Sequence, residues 1–166
     1  MLKNLAVIGA LILAPVAGFA QGAGVTFGGV KVDPNEPVEI TADELSVDQT
    51  NGSAIFAGNV VAGQGELRLS AGQVRVQYAI KDGVNTGEID KLFATGGVVL
   101  VNGAEAAEAR EAVYSVGSSQ IELSGDVVLT QGQSALSGEK LIVDLAAGTG
   151  RMVGRVKTIF NTGGNN

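Results

Sequence analysis

The stretch GNVVAGQGELRLSAG (Gly58–Gly72) returns as GDVVLTQGQSALSGE (Gly125–Glu139), each residue lying 67 places after its counterpart. In both copies apolar residues alternate with polar ones, Leu67 and Leu69 in the first, Val127 and Leu129 in the second. Alternation of period two is the mark of a half-buried strand. The opening words of the phrase recur more widely: Gly, any residue, Val stands at Gly58, Gly96, Gly125 and Gly154, in steps of 38, 29 and 29 residues. Units of about 30 residues, each two or three strands long, cannot bury their own apolar face and must stack on one another. A glycine ahead of each strand permits a bulge or a positive φ where the chain bends into the next unit.

The same alternation extends from Val38 and Ile40, through Leu45 and Val47, Ala54 and Phe56, and Val74, Val76 and Tyr78. It resumes at Tyr114 and Val116, Ile121 and Leu123, and Leu141, Val143 and Leu145. Turn signals separate the runs: TNGS at Thr50–Ser53, GQG at Gly63–Gly65, KDG at Lys81–Gly83, GSS at Gly117–Ser119, SGE at Ser137–Glu139 and AGTG at Ala147–Gly150. Strand and turn in this rhythm predict an all-β chain. Asn102–Tyr114 is rich in Ala and Glu and favours a helix in isolation. Its second half is read as strand, because Ala107, Ala109 and the Val113–Val116 region fit the repeat.

Composition narrows the function. Of 166 residues 45% are apolar, enough for a core, while aromatics are 4%, so the interior is built from Val, Leu, Ile and Ala. Residues 1–20 carry one Lys, an apolar run from Leu5 to Val16, and small residues Gly18 and Ala20, the pattern of a secretory signal peptide cleaved after Ala20. The run is shorter than the roughly 20 residues of a membrane span, and Pro15 interrupts its end. Residues 21–36, rich in Gly and Pro, are expected to form an irregular leader, 37–160 the folded domain and 161–166 a frayed tail. The formal charge is −6, with basic residues unclustered, so no nucleic-acid partner is expected. The chain has no Cys and no His, which excludes disulfides and thiol chemistry and removes the commonest general base and metal ligand.

No constellation for catalysis emerges. Asp43 and Glu44 are neighbours on a strand and point to opposite faces, so they do not form an acid–base pair. The Gly-rich Asp ladder of calcium-binding β-rolls is missing, and no glycine cluster precedes a helix bearing Lys and Ser or Thr. The sequence predicts no enzyme, no cofactor and no metal.

Taken in order, PVEITADELSVDQTNGSAIFAGNVVAGQGELRLSAGQVRVQY (Pro37–Tyr78), then ATGGVVLV, EAREAVYSV, SGDVVLTQGQSALSGEKLIVDL and RMVGRV, resemble the OstA-like family of periplasmic lipopolysaccharide-transport proteins, the LptA family. The resemblance covers nearly all of the chain beyond the signal peptide and rests on the order of the words. It departs in the leader before Pro37, between Tyr78 and Glu88, and in Asn102–Tyr114. It implies a twisted antiparallel β-jellyroll of two facing sheets, open at both ends. It further implies a periplasmic carrier that binds the acyl chains of lipid A between its sheets. Such carriers join head-to-tail into a bridge between inner-membrane and outer-membrane components of the export machinery.

Under that resemblance the alternating apolar positions face the space between the sheets: Val38, Ile40, Val47, Phe56, Leu67, Leu69, Val74, Val76, Leu100, Tyr114, Val116, Ile121 and Leu123. Few of these side chains are large, and Gly and Ala are frequent beside them, so the expected interior is an apolar slot with room for hydrocarbon. Lipid phosphates would remain at the edge, where Arg75, Arg110 and Lys91 are candidates, although each also reads as a solvated charge on an outer face. Strands near Val38–Thr41 and Met152–Phe160 would leave free edges for pairing with further copies. Two rival readings share the pattern: a membrane-anchored sister component of the same pathway, and a structural β-solenoid or adhesin-like protein with a solid interior.

Overall fold

The computed structural model describes residues 23–26, 33, 35–48, 50 and 52–160. The predicted signal peptide and the tail after Phe160 lie outside them. Thirteen strands follow one another: β1 (Ala23–Thr26), β2 (Glu39–Thr41), β3 (Glu44–Asp48), β4 (Ser53–Gln64), β5 (Leu67–Lys81), β6 (Val84–Thr95), β7 (Val98–Asn102), β8 (Glu105–Ala109), β9 (Glu111–Ser115), β10 (Gln120–Gln131), β11 (Ser134–Asp144), β12 (Thr149–Val153) and β13 (Lys157–Ile159). All the pairings are antiparallel, and none of the described residues is helical.

Hydrogen bonding joins every strand into one sheet, but the sheet is folded along a corner into two facing layers. The long strands β4, β5, β10 and β11 run through the corner and contribute a half to each layer. The first layer holds β2, the end of β4, the start of β5, β7, β8, the end of β10, the start of β11, and β13. The second holds β3, the start of β4, the end of β5, β6, β9, the start of β10, the end of β11, β12 and β1. Counted as bent strands, the fold is an up-and-down meander in which each strand pairs with the next, the twisted jellyroll that the family resemblance implies. β2 and β3 end it on one side, β13 and β1 on the other.

The repeated Gly-x-Val phrase is the fold line. Gly58, Gly96, Gly125 and Gly154 all lie on the corner with φ of +77°, +83°, +84° and +81°. Asn59, Gly97, Asp126 and Arg155 behind them also have positive φ. The register slips between Ala57 and Val60 and between Ser124 and Val127, a one-residue bulge that bends the strand and keeps apolar side chains inward on both sides of the bend. The strands between carry Asp43, Gly72, Arg110 and Glu139 against these glycines. The amides of Asp43 and Arg110 donate to the carbonyls of Gly58 and Gly125 at 2.9 and 3.1 Å. At the Gly96 rung the neighbour is backbone: a Cβ on Gly96 would stand 3.1 Å from the Cα of Gly72. Each repeat is therefore one passage out and back across the corner.

From Glu105 on, the Ala- and Glu-rich segment is strand, as β8 and β9, with Arg110 at the corner between them. Pairing with β7, β6 and β10 overrides local helix propensity, and Ala107 is wholly buried. Two expectations are corrected. Part of the leader read as irregular is the strand β1, in which β-branched Val25 and Thr26 pair with Gly150 and Thr149 of β12. Because β1 covers β12, Met152 is not at an open edge; Lys157–Ile159, paired to β11, is.

Candidate functional site

Alternation along each half-strand sends one set of side chains between the layers. Leu100, Leu123, Leu129, Leu141, Val143 and Met152 have no exposed surface, and Val74 and Val76 have almost none. Of the thirteen positions read from the sequence, Leu67, Leu69, Val74, Val76, Leu100, Tyr114, Ile121 and Leu123 are buried in this interior. Val38, Ile40, Phe56 and Val116 pack half-buried against it. Val47 is different. It stands opposite Ala54 on the inner face of the second layer, but it is 60% exposed, and Leu45 beside it, opposite Phe56, is 54% exposed. The first layer ends in the three-residue β2 and leaves them uncovered, so the apolar interior opens to the outside at the β3 end.

The slot expected between the sheets is closed. Buried alanines, Ala54, Ala62, Ala94, Ala107 and Ala112 among them, let the layers approach until the leucines and valines fill the space. Between them lies a cavity of about 20 Å³ lined by Val38, Ala62, Gly63, Gln64, Leu67, Leu69, Val74, Leu92, Tyr114 and Ile121. A volume of 20 Å³ holds about one water molecule, far less than a hydrocarbon chain. Six of its lining residues, Val38, Leu67, Leu69, Val74, Tyr114 and Ile121, belong to the set read from the sequence.

Beside this cavity, away from the corner, a polar linkage ties the layers together. Tyr114 on β9 donates its hydroxyl to Oε1 of Gln64 at the end of β4, at 2.7 Å. Nε2 of Gln64 donates to the backbone carbonyl of Glu36 at 2.8 Å. Both side chains are buried, which makes this bond stronger than a surface contact and its loss more costly. Burial pushes the Tyr114 phenol above its ordinary pKa, and the Gln64 bond offsets this in part.

Sequence reasoning missed Gln64, although the repeat contains the signal. The phrase places a Gln before each turn, Gln64 and Gln131, in step with the inward Val and Ala or Leu; Gln131 bonds Glu105 at 2.9 Å. Leu92 was also missed, because bulges between Gln77 and Ile80 break the pairing of β5 with β6 and hide the period. The three candidate basic residues do not line this cavity. Arg75 stacks over Phe93 on the outer face, 4.0 Å from the ring centre; Lys91 stands beside Gln77 on that face; and Arg110 pairs with Asp126 at the exposed corner.

The antiparallel meander folded on glycine corners around an apolar interior defines a class of β-jellyroll, and the comparisons give the family to which this one belongs. The family described as LptA/(LptD N-terminal domain) LPS transport protein matches residues 39–149, and the chain belongs to that family. A relative from Rhizobium meliloti (strain 1021), described as uncharacterized protein R00383, is 30% identical over 149 residues, covering 87% of this chain and 80% of that protein. The crystal structure of LptH, the LptA-homologous periplasmic component of the lipopolysaccharide transport device of Pseudomonas aeruginosa, shares the fold. Its TM-score is 0.67 at 18% identity, over 78% of this chain and 99% of that one.

Proposed function

We propose that this protein is a non-catalytic periplasmic carrier of lipopolysaccharide, which holds the acyl chains of lipid A between its two layers and passes the lipid along a bridge of copies joined head-to-tail. The observation that carries the reading is the apolar interior left uncovered at Leu45 and Val47. A soluble carrier has reason to continue its inner face past its last covering strand only if something apolar continues from it. Family membership supports the lipid and the compartment.

Filling requires the closed layers to part, and the energetics allow it. Hydrocarbon entering the interior replaces side-chain contacts with contacts of the same kind. Each methylene withdrawn from water contributes about 0.8 kcal/mol. Against this stands the Tyr114–Gln64 bond between the layers, worth about 1 kcal/mol net. A few methylenes per chain offset it, while the phosphorylated sugars stay outside.

Assembly uses the four unpaired edges. β2 and β3 pair only with β4 on their inner sides, and β13 and β1 only with β11 and β12, among the described residues. Joining one end to the other end of the next copy is a heterologous contact that does not close on itself, so it extends both layers and their shared interior. The partners are then lipopolysaccharide, further copies of the chain, and the inner-membrane and outer-membrane parts of the export machinery. The test is titration of the purified protein with lipid A, followed by intrinsic tyrosine fluorescence and by sedimentation. Saturable binding supports the carrier; a protein that binds none is the solid scaffold of the rival reading.

A further inference from the structure

The two ends of the meander differ by one strand. At the head, β2 with three residues and β3 with five both pair with β4, so they end flush, one in each layer. At the tail, β13 with three residues and β12 with five both pair with β11. Head and tail therefore match in length, layer for layer, except that β1 lies over β12. Its four residues pair from Ala23 with Met152 to Thr26 with Thr149, leaving only Val153 of β12. Among the described residues β1 pairs with no other strand, and it precedes the family-matched span 39–149. The second layer of the tail thus reaches one strand spacing, about 4.8 Å, beyond the first. A flush head meeting this step can pair in one layer only, because the gap left in the other is too wide for a hydrogen bond.

The direction of β1 agrees with this reading. The bent strand β2–β3 passes from the first layer to the second and β12–β13 passes back, so β3 of a following copy would meet β12 in the antiparallel sense. β1 is also antiparallel to β12. We infer that β1 is an autoinhibitory cap: it holds the place on β12 that β3 of a second copy takes, and pairing in both layers requires its withdrawal. The occupant of the uncapped edge is a second copy of this chain, because its head agrees with that edge in length and direction in both layers. The inference rests on the head-to-tail reading proposed above and adds regulation to it. Capping joins two parts of one chain and is independent of protein concentration, whereas assembly is not, so the cap keeps dilute copies apart.

The test is sedimentation velocity of the purified protein over a range of concentrations. Successive amides of a strand point to opposite sides, so in the variant Gly24→Pro with Val25→Pro one of the two lost donors is the one facing β12. If the cap is closed nine parts in ten, the competent fraction is about 0.1 and uncapping tightens self-association about tenfold. The converse variant is Gly24→Cys with Arg151→Cys, at two exposed and directly paired positions of a chain with no other cysteine. Oxidised, it should stay monomeric where the wild type associates, and reduction should restore association. Circular dichroism checks that each variant keeps its sheet. Association of the proline variant equal to or weaker than that of the wild type overturns the cap and leaves head-to-tail assembly standing. If no form associates at any concentration, both are overturned.

Discussion

Replacing Gly96 by Ala tests the corner, because its cost separates into two parts. The residue has φ of +83°, where an L side chain costs about 1–2 kcal/mol. Its new Cβ would also stand 3.1 Å from the Cα and 3.4 Å from the N of Gly72. That neighbour is the backbone of β5, which is paired on both sides and cannot swing aside as a side chain would. Forcing the strands apart adds about 1–2 kcal/mol, by analogy with overpacked cores. The sum is about 2–4 kcal/mol, and for a chain of this size each kcal/mol lowers Tm by about 2–4 °C. The control is the next residue. Gly97 has nearly the same φ, +82°, but nothing within 4 Å of a Cβ, so Gly97→Ala carries the conformational cost alone. Thermal unfolding followed by far-ultraviolet circular dichroism should place Gly96→Ala several degrees below Gly97→Ala, and both below the wild type. Equal midpoints for the two variants would refute the close packing of Gly72 on Gly96 as the determinant of the bend.

Leu100→Ala removes a wholly buried side chain from the centre of the first layer and should cost about 2–5 kcal/mol, read from the urea midpoint. Val47→Asp, at an exposed position, should leave that midpoint within about 0.5 kcal/mol of wild type while weakening self-association in sedimentation. Val76→Asp places a carboxylate at a position 1% exposed and should abolish lipid uptake; normal uptake by a folded variant would contradict the inward placement. The raised pKa of Tyr114 means that the folded protein holds this proton more tightly than the unfolded chain. Its contribution is complete below the ordinary value of 10.0 and is lost as pH rises beyond it. Absorbance at 295 nm, wild type minus Tyr114→Phe, should show this phenol ionising above pH 10, and the variant should lose less stability there.

Much of this was legible in the sequence because one physical signal, alternation around glycine, governs the whole chain. Gly58, Gly96, Gly125 and Gly154 announced the bends, and Val74, Val76, Ile121 and Leu123 announced the inner face. Ala107, Ala109 and Val113–Val116 were legible as strand from the repeat, although the partners whose pairing overrides local helix propensity lie elsewhere along the chain. Two features were not legible. The closing of the slot depends on how far buried alanines let two layers approach, which period two does not encode. The exposure of Val47 depends on where the opposite layer stops, and β2 stops after three residues.

The central claim, that lipid occupies the space between the layers, is tested most directly by photo-crosslinking. A benzophenone amino acid at Phe56, on the inner face of β4, is compared with one at Phe93, on the outer face of β6 in the same layer. With lipopolysaccharide present, the account predicts an adduct at position 56 and none at position 93. Adducts at both positions, or at 93 alone, would contradict it.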